Sequence, residues 1–189
     1  MTNIIGIYSS KPGFGKTEIA HYLREEYGFE TVRFADPIKH VVRILLYRLG
    51  YDHHTVPEMT DGLRKQDPIP SLGGVTPRYM MQTLGTDWGR NMIDSDIWVN
   101  ATIQSVMEEV EDGNSVVVDD LRFPNEYRAL HRMGATFVRV IRFFDGNEEP
   151  HSSEGNLDQF HFRYVICNDG TLGDLRDAVD VVLKGINHE

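Results

Sequence analysis

The sequence predicts an α/β fold, a five-stranded parallel sheet with helices on both faces, and three observations predict it. Short apolar runs alternate with segments of helical spacing, the pattern of right-handed strand–helix–strand crossovers. Ser115-Val116-Val117-Val118-Asp119-Asp120 has a continuous apolar stretch closing on two acids, as does a strand buried on both sides of a parallel sheet. A glycine-bearing turn, Ser9-Ser10-Lys11-Pro12-Gly13-Phe14-Gly15-Lys16-Thr17, joins the apolar run Ile4-Ile5-Gly6-Ile7-Tyr8 to a first helix.

The elements follow in order. Glu30 to Ala35 alternates and reads as a second strand. Asp36-Pro37 opens a second helix, with Asp36 as its cap, and the spacing of Val41, Val42, Leu45, Leu46 and Leu49 gives that helix one core face. From Tyr51 to Val75 the pattern dissolves into Pro, Gly, Asp and His, a long irregular segment of the kind that is usually functional. Thr76-Pro77 caps another helix running to Gly85. After Asp94 or Ser95 a long amphipathic helix turns Ile97, Ala101, Ile103, Val106, Met107 and Val110 inward. A third strand at 115–120, a helix from Pro124 to Met133, a fourth strand from Thr136 to Phe144, a polar flap from Asp145 to Asp158, a fifth strand from Arg163 to Asn168 and a last helix from Leu172 to Ile186 complete the chain. The expectation is a single domain over 1–189, with a substrate-binding insertion about 51–93 and a lid-like loop about 145–158.

Composition narrows the function. The net charge of -10 excludes a broad basic surface for nucleic acid. One cysteine, Cys167, allows no internal disulfide and fits a reducing compartment. The opening apolar run is too short for a secretory signal, and no stretch approaches the roughly 20 apolar residues of a membrane span, so the expected location is the cytoplasm. The eight histidines show no metal-ligand spacing.

The turn at 9–17 carries the chemistry. Strand, glycine turn, Gly-Lys-Thr, helix is the order of a phosphate-binding P-loop: successive N–H groups form a nest, and the helix adds its positive end. Lys11, Gly13, Phe14 and Gly15 make the turn, Lys16 reaches the β- and γ-phosphates of ATP, and the Thr17 hydroxyl ligates Mg2+. Serine stands at position 10 where the pattern has glycine, which requires a negative φ there. Ligands of such sheets lie beyond the carboxyl ends of the strands, so the turn, Asp36, Asp119-Asp120-Leu121-Arg122, the flap and Asn168-Asp169-Gly170 are expected on one rim. Asp120 suits Mg2+ with Asp119 in support, or the pair caps the helix that follows. Arg122 and Arg142, and less so Arg139, offer charge to a transferring phosphoryl group. Arg78 and Gln82, four apart, share a helix face apt for a phosphate and a base edge; Trp88 either stacks on a base or fills the core.

Assembled, these blocks resemble the deoxynucleoside monophosphate kinases of bacteriophages, small kinases with the P-loop fold. The resemblance rests on the P-loop, Phe34-Ala35-Asp36-Pro37-Ile38-Lys39, the block Arg78 to Arg90, Asp96-Ile97-Trp98-Val99, Asp120-Leu121-Arg122-Phe123-Pro124-Asn125-Glu126, His151-Ser152-Ser153-Glu154 and Asn168-Asp169-Gly170-Thr171. It implies transfer of the ATP γ-phosphoryl to a dNMP, with magnesium. It also implies that Arg122 supports the transferring group, and that Lys39 with Arg78, Gln82, Thr86, Asp87, Trp88 and Arg90 serves the acceptor. The flap to Glu154 would close over the phosphates, and Asn168 to Thr171, including Gly170, would lie near the adenine. A homodimer is implied as well. Two alternatives stand: a kinase of another small phosphate, such as phosphomevalonate, and a P-loop ATPase or switch.

Overall fold

The computed structural model describes residues 2–142 and 156–187. Cα packing divides the chain into two compact units, Met1–Phe34 with Ile103–Glu189, and Ala35–Thr102.

The first unit holds the sheet. Its strands are β1 (Ile4–Tyr8), β2 (Glu30–Thr31), β3 (Val116–Val118), β4 (Thr136–Ile141) and β5 (Tyr164–Cys167). All pairings are parallel, in the order β2-β3-β1-β4-β5, so the expected five-stranded parallel sheet is present. β1 and β3 are buried at every residue, which explains their unbroken apolar sequence. Strand side chains alternate faces. Ile5 and Ile7 pack with Ile19, Ala20 and Leu23 of α1 (Lys16–Tyr27) and with Leu175, Val179, Val182 and Leu183 of α7 (Leu172–Asn187). Gly6 faces the opposite way, toward Phe137 and Leu130, the latter on α6 (Pro124–Arg132). Helices therefore cover both faces.

The strands are shorter than the sequence predicts. β2 has two residues because, past Thr31, only the Val32 N–H joins the ladder, to the Val117 carbonyl, before side chains take over. Asp119 and Asp120 lie beyond β3 for the same reason.

In the second unit, α2 (Asp36–Arg48) starts one residue before its proline, with Ala35 as the cap. Asp36 is thus a first-turn acid facing the helix dipole and not the cap. Its buried face is narrower than the periodicity implies: Val42 and Leu46 are buried, whereas Val41, Leu45 and Leu49 are exposed. The segment 51–75 is not irregular throughout. It forms α3 (Thr55–Thr60) and two 3₁₀ turns, Leu63–Gln66 and Pro70–Leu72. Val56, Met59 and Ile69 close a small core with Val42 and Leu46. Ile69 and Val75 form an antiparallel bridge. Thr76 caps α4 (Pro77–Gln82), its Oγ1 accepting from the Tyr79 N–H at 3.2 Å, as its position before proline predicts.

Beyond α4 the backbone does not stop at Gly85 but continues as a π-helical segment, Thr83–Ile93. Then α5 (Ile97–Glu111) buries Trp98, Val99, Thr102 and Val106. Ala101 and Met107, expected inward, are exposed, because the buried stripe passes through Trp98 and Thr102 instead.

Candidate active site

The glycine turn sits where the sequence puts it, between the central strand β1 and the first turn of α1. Gly13 and Gly15 have φ of +80° and +99°, and Gly15 is the helix cap. L side chains avoid this region, so these two glycines are what the turn requires. No described residue other than glycine has positive φ, so Ser10 meets the condition set for it. Phe14 sends its ring into the core, leaving only its backbone to the turn. The Lys16 Nζ donates to the buried Ser9 Oγ, which donates to the Lys11 carbonyl at 2.6 Å. Thr17 is exposed in the first helical turn.

Two acids end β3, and the structure separates their work. Asp119, 5% exposed, takes both contacts of the Arg33 guanidinium, at 2.6 and 3.0 Å. Both its oxygens are committed to a cation, which fits a supporting part. Asp120 accepts the Phe34 N–H at 3.0 Å through Oδ1. Neither caps α6. That is done by Glu126, 2% exposed, whose Oε2 receives the N–H groups of Arg122 at 2.8 Å and Phe123 at 3.0 Å. Arg122 is exposed, with its backbone held by that carboxylate. Glu126 carried no functional expectation; its spacing from Phe123, an acid three residues into the helix, is the signal that finds it.

Arg139 on β4 and Arg142 just beyond it part ways. Arg139 donates to Asp158 Oδ1 at 2.6 Å and to its carbonyl at 3.2 Å. It also lies over the rings of Tyr8 and Phe162. The Tyr8 hydroxyl donates to the same carboxylate at 3.1 Å, and burial, then the Asp158 charge, pushes its pKa up to about 12. Arg139 is thus a structural ion pair. Arg142 is exposed, directly past the end of β4. Asn168, just past β5, donates its side-chain amide to the Phe14 carbonyl at 2.9 Å. Gly170 precedes α7, whose first turn is tied by Asp174 to the N–H and hydroxyl of Thr171, both at 2.7 Å. Glu154 and most of the expected lid lie outside the described residues.

The second unit brings the other group together. Arg78, Gln82, Thr86, Asp87 and Trp88 are exposed along α4 and the π-helical segment, and Arg90 is half-buried. Such winding is rare and concentrates at functional sites. It is held by Trp98, 5% exposed, whose indole N–H donates to the Gly85 carbonyl at 2.8 Å. A Cβ on Gly89 would lie 2.3 Å from the same indole nitrogen, so glycine is the residue that fits there. Trp98 is the core tryptophan, and Trp88, 44% exposed, is available to a ligand. Lys39 reaches Asp61 at 2.8 Å and Asp36 at 3.7 Å, and Arg43 pairs with Asp61 too. Burial opposes ionisation of Asp61, but hydrogen bonds from Lys39, Arg43 and Thr60 outweigh it and hold its pKa down at about 2. Arg43 and Asp61 were not legible as site residues, since nothing in sequence shows that α3 ends beside α2.

Among the described residues no helix is long and apolar enough to cross a membrane, and no three potential metal-ligating side chains cluster.

Comparison with known proteins agrees with this layout. A protein of Acanthamoeba polyphaga mimivirus, provisionally named a deoxynucleotide monophosphate kinase, is 27% identical over 93% of this chain and 93% of its own. The deoxynucleotide monophosphate kinase of Escherichia phage RB69 is 32% identical over 57% of this chain, a match spanning 44% of the phage protein. Among solved structures, TT1252 from Thermus thermophilus covers 97% of both chains with a TM-score of 0.54 and 17% identity, a likeness of fold alone. The family model described as deoxynucleotide monophosphate kinase matches residues 73–179, more than half of the chain. This chain belongs to the deoxynucleotide monophosphate kinase family.

Proposed function

We propose that this chain transfers the γ-phosphoryl of ATP to the phosphate of a deoxynucleoside monophosphate, giving dNDP and ADP. The observation that carries the reading is the left-handed glycine turn at the carboxyl end of the central strand, leading into a helix that begins Lys16-Thr17. An acceptor phosphate oxygen attacks the γ-phosphorus, and the bond to the β-bridging oxygen breaks. Such a step needs alignment and charge neutralisation more than covalent help.

Lys16 leaves Ser9 to follow the β- and γ-phosphates. Arg122, exposed and fixed at its backbone by Glu126, supports the transferring group, with Arg142 as a second cation. The Thr17 hydroxyl and the Asp120 carboxylate are hard oxygen donors that suit magnesium, which when bound neutralises phosphate charge. Arg78 and Lys39 suit the acceptor phosphate, and Gln82 and Trp88 a base edge and a base face; Thr86, Asp87 and Arg90 complete that set. The reaction uses small solutes and is cytoplasmic.

A panel of the four dNMPs and their ribose counterparts, with coupled detection of ADP, tests the proposal. ADP release that depends on an added dNMP is expected. Turnover of a phosphorylated non-nucleotide and of no dNMP would overturn it, and so would ATP hydrolysis stimulated by polynucleotide alone.

A further inference from the structure

Asn168 is tied to the protein at both its backbone and its side chain. Its own N–H donates to the carbonyl of Ile141, the last residue of β4, at 2.9 Å, so its backbone is pinned to the sheet edge. From there the side-chain amide donates to the Phe14 carbonyl at 2.9 Å. The fit is close: a Cβ on Gly15 would lie 2.5 Å from the Asn168 Nδ2.

The consequence follows from peptide geometry. The Phe14–Gly15 peptide is trans and planar, so the Phe14 C=O and the Gly15 N–H point in opposite directions. Drawing the carbonyl onto Asn168 therefore aims the Gly15 N–H away from Asn168, along the opposite edge of the same peptide plane. With φ of +99° at Gly15, this peptide has no regular secondary structure to orient it. The Asn168 hydrogen bond supplies that orientation, and it links the turn to the distant β5.

We propose that Asn168 is a positioning residue for the triphosphate: it sets the Phe14–Gly15 peptide so that the Gly15 N–H meets a phosphate oxygen, and it does not read the base. The inference rests on the phosphate-binding reading of the turn. It predicts that losing Asn168 weakens every ligand carrying the phosphate chain, whatever else that ligand carries.

Calorimetric titration of the full chain with magnesium ATP and with magnesium tripolyphosphate, which has no base, separates the two roles. Asn168→Ala is expected to weaken both ligands by the same factor, about tenfold, the scale of one lost hydrogen bond. Asn168→Asp, isosteric but without the donor, is expected to weaken both further, since its carboxylate faces the Phe14 carbonyl. Loss of ATP binding with tripolyphosphate unchanged would overturn the inference. In ligand-free 15N spectra of Asn168→Ala, the Gly15 amide resonance should move and exchange faster, and an unchanged Gly15 resonance would also overturn it. A wild-type protein that binds neither ligand would overturn the phosphate reading itself, and this inference with it.

Discussion

Replacing Gly89 with alanine tests the frame of the π-helical segment. The new methyl would sit 2.3 Å from the Trp98 Nε1, 2.7 Å from Cε2 and 2.8 Å from Cζ2, distances that real Cβ atoms do not show. The indole cannot swing aside cheaply, because it is 5% exposed and its N–H is bound to the Gly85 carbonyl. Overpacking of this kind costs about 1–3 kcal/mol. If the ring moves, the buried indole N–H loses its acceptor, for about 1–3 kcal/mol more. The sum, about 2–6 kcal/mol, is a large part of the roughly 5–15 kcal/mol that holds a domain folded. At about 2–4 °C per kcal/mol for a chain of this size, Tm should fall by roughly 4–24 °C by calorimetry. On a Trp98→Ala background the same substitution should cost far less, since the atoms it meets are gone. Additive effects, or an unmoved Tm in the single variant, would refute the packing argument.

Lys16→Ala should abolish phosphoryl transfer while shifting stability by less than about 1 kcal/mol, measured by coupled ADP release and thermal unfolding. Arg122→Ala should lower kcat by about 10³ with little change in KM for ATP; a change confined to KM would reduce Arg122 to ground-state binding. Asp61→Asn should destabilise the fold near neutral pH. The Asp61 pKa lies below its ordinary 3.8, at about 2, so the stabilisation is complete above about 4 and is lost as pH falls toward 2. The gap between wild type and variant in acid titrations should therefore close over that window and nowhere above it.

The sheet, the turn and most helix starts were legible in sequence because each rests on local chemistry. A run such as Val116-Val117-Val118 has only one comfortable environment, between two helical layers. Gly13 and Gly15 were recognisable because a left-handed turn admits little else. Thr76 before Pro77 announces its own cap.

Other features depend on residues far apart in the chain, and periodicity could not supply them. Val41, Leu45 and Leu49 have the spacing of a core face, but burial falls on Val42 and Leu46, where Val56, Met59 and Ile69 of a seemingly irregular segment meet them. For the strand-end acids the sequence favoured Asp120 over Asp119 but showed a partner for neither. Arg33, 86 residues away, takes Asp119, and Phe34 lends its N–H to Asp120. By itself, then, the sequence determined the parallel α/β sheet and its left-handed glycine turn, because backbone preference and local apolar pattern decide them. Tertiary structure alone decided which carboxylate is neutralised, which tryptophan is buried and what Asn168 holds, because each depends on a partner that only folding brings within hydrogen-bond reach.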